Sequence, residues 1–461
     1  MEIVAQAAQR FGNAPALITA GRRWSFADLH ADTARIAAAF EARGVRRGDI
    51  VALVAPNSVP LVLALMALMR MGAVAAPVNH RFPASHVEGV IQRLKPAMTL
   101  DATILDAFVT DALARRDAAF VATTEMERPA SIIHTSASSG KPKAALHSLA
   151  NHYFSATGSA QNLPFEPGDC WLLSLPLYHV GGYSMLYKCL LGGGALAIPS
   201  PDTSLAKSLA GFPVTHLSLV PTQLYRMLRA SGGPERLRSL KALLLGGSAV
   251  SPALLDEAIR ERAPIYLTYG STEMSTQVTT SPGPVTLARG DSGAVLPWRE
   301  VAIAPDGEIL VKGECLFMGY LDDGGLRTAR DAEGWFHTGD MGELSEDGRL
   351  TVLGRKDSMF ISGGENIHPE EIEEALCSIE GIDEAVVAPA PDAEYGARPV
   401  AWIEARSNAP DDAAISASLA QSLGKLKTPV AIHRVQEWQT LPGSAKIDRG
   451  WYRKLGESEK G

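Results

Sequence analysis

LKALLLGGSAVSPALLDEAIRERAPIYLTYGSTEMS (residues 240–275) sets two short apolar runs, LKALLLGG and APIYLTYG, on either side of a helical segment. Apolar runs of this length, bounded by glycine, read as strands buried on both faces. The same signature recurs upstream in DIVALVAPN (49–57), AVAAPVN (73–79), CWLLSLPL (170–177), GALAIP (194–199) and THLSLVP (215–221). Strands that alternate with helices favour a largely parallel sheet with helices covering it. SFADLHADTARIAAAFEARG (25–44) predicts one such helix, with Ser25 as N-cap and Asp28 three residues on.

From about residue 300 the texture changes to short strands and turns. EVAIAPDGEILVKG (300–313) and GELSEDGRLTVLGR (342–355) each predict strands around a Gly-containing turn. A smaller α+β unit follows Arg355. HPEEIEEALCSIEG (368–381) predicts a helix with Pro369 in its first turn and acids at the positive end of its dipole. Ile372, Leu376 and Ile379 should share one face, and Gly381 should close the helix. Strands AVVAPA and RPVAWIEA and a helix near 412–423 come next. The expected division is into residues 1–355 and residues 356–461.

A chain of 461 residues exceeds what one hydrophobic core supports, in keeping with that division. A composition of 46% hydrophobic and 20% charged residues belongs to a soluble globular protein. The net charge of −8 leaves no basic surplus for a nucleic-acid backbone. Cys170, Cys189, Cys315 and Cys377 lack metal-site spacing and read as reduced, buried thiols of a cytoplasmic enzyme. MEIVAQAAQRFG at the start has no apolar signal core, and VPLVLALMAL (59–68) is too short for a bilayer. The latter predicts a buried helix, and no membrane anchor is expected.

Chemistry-bearing residues fall in separate segments. HTSASSGKPKAA (134–145) has the hydroxyls, glycine and lysines of an anion-binding nest. It is not the common P-loop, because Thr135 and Pro142 stand where that motif needs Gly and Ser or Thr. Pro142 also prevents a direct turn into a helix. In LTYGSTEMS (267–275) Glu273 offers a hard oxygen for Mg²⁺ and Tyr269 a flat face for a base. GWFHTGDMG (334–342) and GRKDSMFISGGENIHPEEIE (354–373) place an aspartate and an arginine one hairpin apart, suited to ribose hydroxyls. Lys446 sits in the Gly/Ser loop LPGSAKIDRG (441–450). Each alone is equally well an ordinary polar turn or a solvated lysine.

In this order and spacing, TSASSGKPK, YGSTE, TGD, GRKD, SGGENIHPEEIE and SAKIDR resemble the motifs of the adenylate-forming acyl-CoA synthetases. That family shares its architecture with firefly luciferase and peptide-synthetase adenylation domains, and the likeness spans essentially the whole chain. It implies an α/β fold: a large N-terminal domain of helix-covered sheets with a small β-barrel-like part, and a small mobile α+β C-terminal domain. It also implies ATP, Mg²⁺ and coenzyme A. Thr135, Ser136, Ser138, Ser139, Gly140 and Lys143 would cradle phosphates, and Glu273 would hold the metal. Gly246, Gly247, Ser248, Tyr269 and Gly270 would enclose the adenine, and Asp340 and Arg355 would bind the ribose. Thr272 would contact the α-phosphate, and Lys446 would bridge it to the acyl carboxylate. Asp357 would be the hinge of a domain swing that brings Gly363 and Gly364 to a pantetheine tunnel. Ala137 departs from the family's glycine, so the phosphate grip is expected to be slightly altered.

LSLPLYHVGGYSMLYKCLLGGGA (173–195) should line the acyl pocket, with His179 either gating or contacting the substrate or satisfied as a core histidine. The likeness is strongest to members that activate an aromatic dicarboxylic acid, which calls for a second anion site. Arg226, Thr268 and Ser248 are candidates for it. A benzoate-type or medium-chain acyl ligase and a non-catalytic nucleotide-binding relative stay open as alternatives. A homodimer is compatible with this reading, though the sequence does not require one.

Overall fold

The computed structural model describes residues 2–115, 120, 122–135, 143–250, 252–287, 290–363, 365–392, 394–441 and 446–458. The helix Phe26–Ala42 starts where its cap predicts. Ser25 Oγ accepts the Asp28 N–H at 3.0 Å, and Asp28 Oδ2 accepts the Ser25 N–H at 2.9 Å. These reciprocal bonds satisfy donors that a helix start leaves open. The apolar run near residue 60 forms the helix Val59–Met71, buried from Leu61 onward. Arg70 lies inside that helix, where Glu2 accepts from its Nε at 3.0 Å and Thr33 Oγ1 and the His30 carbonyl from its Nη1. No helix among the described residues is long and apolar enough to cross a membrane. All four cysteines are buried.

Among the described residues the strands form two large sheets. In the first, the apolar runs Cys170–Leu172, Ala195–Ala197, His216–Leu219, Ala242–Leu245 and Ile265–Ser271 lie parallel, as their alternation with helices predicts. Several are only three or four residues long, since the chain leaves the sheet once its apolar residues are paired. Ile265–Ser271 is the turning point. It is parallel to Ala242–Leu245 on one side and antiparallel to Thr276–Thr280 on the other. Of the strands expected as a small barrel-like part, Asp291–Val295, Arg349–Arg355, Phe336–Leu344, Glu308–Lys312 and Glu300–Ile303 continue in that order from the antiparallel side. The second sheet contains Ile50–Val54, Val74–Pro77, Pro129–His134, Ala144–Ser148 and Gly319–Asp322.

Strands after residue 360 hydrogen-bond only in their own small sheets, among the described residues. The hairpin Ile382–Asp392 with Gly396–Ala405 packs on the helix Pro369–Cys377, burying Ile372, Leu376, Val387 and Ile403. This helix is shorter than its sequence suggests. Ser378 caps it, and Ile379 and Gly381 belong to the following turn, where Gly381 has φ +93°. The turn lets the chain reverse into the hairpin, and a Cβ on Gly381 would lie 2.7 Å from Ala409 Cα.

Candidate active site

Thr135 and Lys143 close the ends of the hydroxyl-rich loop: the Thr135 N–H donates to the Lys143 carbonyl at 2.9 Å. On either side run the antiparallel strands Pro129–His134 and Ala144–Ser148. The loop therefore joins strand to strand, unlike the strand-to-helix P-loop. Ser136, Ala137, Ser138, Ser139, Gly140 and Pro142 lie outside the described residues, as does Gly364.

Beside this hairpin is the turn after Ile265–Ser271, which carries Thr272 and Glu273. Ser275 and Thr276 have φ of 55° and 127°, conformations that disfavour side-chain-bearing residues. The strain is held by surrounding bonds. Ser275 N–H donates to the Thr272 carbonyl at 3.0 Å, and Ser155 Oγ donates to the Ser275 carbonyl at 2.9 Å. Gly270 is required by close packing, because a Cβ there would lie 1.9 Å from the Thr276 carbonyl oxygen. Gly246 packs against Thr268 in the same way, since a Cβ on it would lie 2.6 Å from Thr268 Cγ2. Gly247, φ +89°, and Ser248 are exposed beyond the strand Ala242–Leu245.

The expected ribose pair is assembled in the hairpin Phe336–Leu344 with Arg349–Arg355, where Asp340 and Arg355 are opposite one another. Arg355 Nη1 donates to Asp340 Oδ1 at 3.0 Å, and Tyr269 Oη donates to Asp340 Oδ2 at 2.6 Å. Burial raises the Asp340 pKa above the usual carboxylate range, opposed by Tyr269 and Arg355. Burial alone would lower the Arg355 pKa, but Asp357 and Asp340 raise it, so the guanidinium stays charged. Asp357 accepts from Arg355 Nε at 3.0 Å, and its carbonyl accepts from Arg453 at 2.6 Å.

Lys446, on the C-terminal unit, lies beside Gly247. Its Nζ is 4.0 Å from where a Cβ on Gly247 would stand. His179, at the N-cap of the helix Val180–Gly192, feels its charge: burial and then Lys446 lower the imidazole pKa to about 4. His179 is thus neutral near pH 7. Burial likewise lowers the Lys446 pKa.

Two expected residues stand elsewhere. Arg226 is exposed on the helix Pro221–Arg229, whose Tyr225 and Arg229 reach Asp383 instead. Gly363, φ +58°, packs on Tyr395 and Leu426 in the small C-terminal unit.

Other residues enter that sequence reasoning had passed over. Lys188 is buried within the acyl segment and donates to Gln277 Oε1 at 2.8 Å. Burial, then the buried Arg299, lower its pKa to about 7. Among the described residues no carboxylate pairs with Lys188 or Arg299. Gln277 Nε2 donates to Thr280 Oγ1 at 2.8 Å, and Thr280 Oγ1 to Thr268 Oγ1 at 3.1 Å. This chain links Lys188 to Thr268 and so to Gly246. A charged residue inside the apolar run YSMLYKCLL was its signal. Tyr320 donates to Glu273 Oε1 at 2.6 Å, and His147 Nε2 is 2.7 Å from the Thr272 carbonyl.

The strand-to-strand hairpin, the Thr272–Glu273 turn beside it, the Asp340–Arg355 pair and Lys446 lie in a chain that belongs to the AMP-binding enzyme family. The family's main profile matches residues 4–321, and that of its C-terminal domain matches residues 371–445. Among curated relatives, 2-succinylbenzoate–CoA ligase of Salmonella typhimurium is 37% identical over 414 residues, covering 89% of this chain and 87% of that one. The Escherichia coli ligase of the same name is 34% identical, with 92% and 91% covered. Among solved structures, wild-type MenE of E. coli with a bound phenylether-linked analogue of OSB-AMS superposes with a TM-score of 0.82 at 31% identity, over 98% and 99% of the two chains. O-succinylbenzoate coenzyme A synthetase of Bacillus subtilis in complex with ATP and magnesium ion gives 0.82 at 28%, over 97% and 98%.

Proposed function

We propose that the protein is an ATP-dependent acid–CoA ligase whose substrate is 2-succinylbenzoate, working through an acyl-adenylate and then a thioester. The observation that supports this reading is the closeness of the Lys446 ammonium to Gly247 and His179, residues we assign to the adenine and acyl sites.

In the first step a carboxylate oxygen attacks the α-phosphorus of ATP, the bond to the bridging oxygen breaks, and pyrophosphate leaves. Two anions must approach each other, so the protein's task is alignment and charge shielding. We assign Lys446 to bridge them, with Lys143 and Thr135 at the ends of the loop we assign to the phosphates. Glu273 fits Mg²⁺, which takes few protein carboxylates and completes its shell with substrate phosphates and water. When bound, the ion would offset phosphate charge.

In the second step sulfur attacks the acyl carbon, the carbon–oxygen bond to AMP breaks, and AMP leaves. We assign residues 356–461 as the unit that pivots about Asp357 between the steps, withdrawing Lys446 and bringing Gly363 to the thiol. For the diacid's second carboxylate we assign Lys188, a buried cation with no acid partner among the described residues. The buried thiols suit a reducing, cytoplasmic setting.

A panel of 2-succinylbenzoate, benzoate and a medium-chain fatty acid with ATP, Mg²⁺ and coenzyme A tests the reading. Acyl-CoA should form from 2-succinylbenzoate and far less from the monoacids. Preference for benzoate or the fatty acid would reassign the substrate, and no thioester with any acid would remove the activity.

A further inference from the structure

We propose that Tyr320 is a positioning residue for the acid that holds the metal: its hydroxyl fixes the Glu273 carboxylate, and its ring gathers cations around the phosphates. This rests on the assignment of Glu273 to Mg²⁺ above.

Tyr320 and Glu273 come from different sheets. The strand Gly319–Asp322 pairs with Ala144–Ser148, which leaves the phosphate loop, and Tyr320 stands opposite Ala145. Glu273 belongs to the strained turn of the other sheet. The hydroxyl spans the two, donating to Glu273 Oε1 at 2.6 Å. The phenol carries the proton in this bond, since an ionised carboxylate only accepts.

The backbone around Glu273 is held from the same side. Phe317 N–H donates to the Glu273 carbonyl at 2.7 Å. His147, on the strand Ala144–Ser148, meets the Thr272 carbonyl. Burial lowers the His147 pKa to about 4, so the imidazole is neutral, and facing an acceptor-only carbonyl it carries the proton on Nε2. With backbone and carboxylate both tied to the phosphate-loop sheet, Glu273 has little freedom to rotate. That matters because Mg²⁺ demands near-ideal octahedral geometry, and one protein oxygen out of line costs affinity.

The ring does a second task. Lys143 Nζ lies 5.2 Å from its centroid and Arg327 Cζ 5.5 Å. Cations attracted to an aromatic face can remain together before a polyanion arrives.

The experiment is calorimetric titration of full-length protein with an unreactive ATP analogue, once with Mg²⁺ and once with EDTA. Wild type should bind more tightly with Mg²⁺. Tyr320→Phe keeps the ring and should forfeit most of that gain, roughly tenfold, the worth of a hydrogen bond to a charged group. Its affinity in EDTA and its melting temperature should match wild type. In pyrophosphate exchange its KM for Mg·ATP should rise while its KM for the acid holds. Tyr320→Leu, which removes the ring too, should also weaken the EDTA complex.

Glu273→Gln separates the two claims. If Glu273→Gln loses the Mg²⁺ gain and Tyr320→Phe keeps it, the positioning role is overturned and the metal assignment stands. If Glu273→Gln keeps the gain, both fall. If Tyr320→Phe weakens the EDTA complex as much as the Mg²⁺ complex, Tyr320 is structural and the proposal fails.

Discussion

Lys188 is a cation buried without a counter-anion among the described residues, and such a group is costly unless it neutralises or finds a partner. Its lowered pKa, about 7, records the first outcome. A bound carboxylate would supply the second. At pH 8 most free protein would carry neutral Lys188, and an arriving carboxylate raises its pKa, so binding takes up a proton. Calorimetry of 2-succinylbenzoate in two buffers of different ionisation enthalpy should find an uptake of about one proton. Lys188→Met should abolish the uptake and raise the KM for 2-succinylbenzoate roughly tenfold, with the KM for ATP unchanged. Unaltered proton uptake in Lys188→Met would remove the residue from substrate recognition. Lys446, Glu273, Asp340 and Arg355 were readable in the sequence as candidates because each is a polar residue in a short motif of recognisable spacing. Lys188 and Tyr320 were not. Their partners, Gln277 and Glu273, are 89 and 47 residues away, and only folding shows that the pairs are buried together.

The helix Pro221–Arg229 begins at the residue that the sequence placed at the end of the apolar run THLSLVP. Its start at Pro221 follows from the rule for proline in a first turn. Arg226 looked like an anion ligand, yet it is exposed, and its neighbours Tyr225 and Arg229 engage Asp383 of the C-terminal unit. Tyr225 Oη donates to Asp383 Oδ2 at 3.0 Å, Arg229 is 3.6 Å from Oδ1, and Arg406 binds the same carboxylate. One acid thus ties the small unit to the large one in the arrangement that puts Lys446 beside Gly247. Partly exposed charge pairs are worth about 0.2–1 kcal/mol each, so the tie is reversible. Asp383→Ala should lower the rate of pyrophosphate exchange by about two- to fivefold while sparing thioester formation from supplied acyl-adenylate. Equal losses in both steps would show that Asp383 merely stabilises the fold. Helix and strand types were readable from apolar runs and caps, as at Ser25. Their ends were less so: the helix from Pro369 stops at Cys377 because the chain must turn back at Gly381 into the hairpin.

At the scale of the whole molecule, two sheets bring together residues that the chain keeps apart, and the C-terminal unit completes the site. The parallel runs announced the first sheet, but no local pattern shows that Ile265–Ser271 is where it turns antiparallel. That reversal leaves the Thr272–Glu273 turn beside the hairpin of Pro129–His134 and Ala144–Ser148 in the second sheet. The account requires such a site to make an acyl-adenylate before any thiol arrives. The most direct measurement is to mix the protein with 2-succinylbenzoate, Mg²⁺ and labelled ATP in the absence of coenzyme A, and to analyse the bound and released products. The account predicts enzyme-bound acyl-adenylate and an equal amount of pyrophosphate, with both lost in Lys446→Ala. Release of ADP and phosphate, or no acid-dependent pyrophosphate, would contradict it.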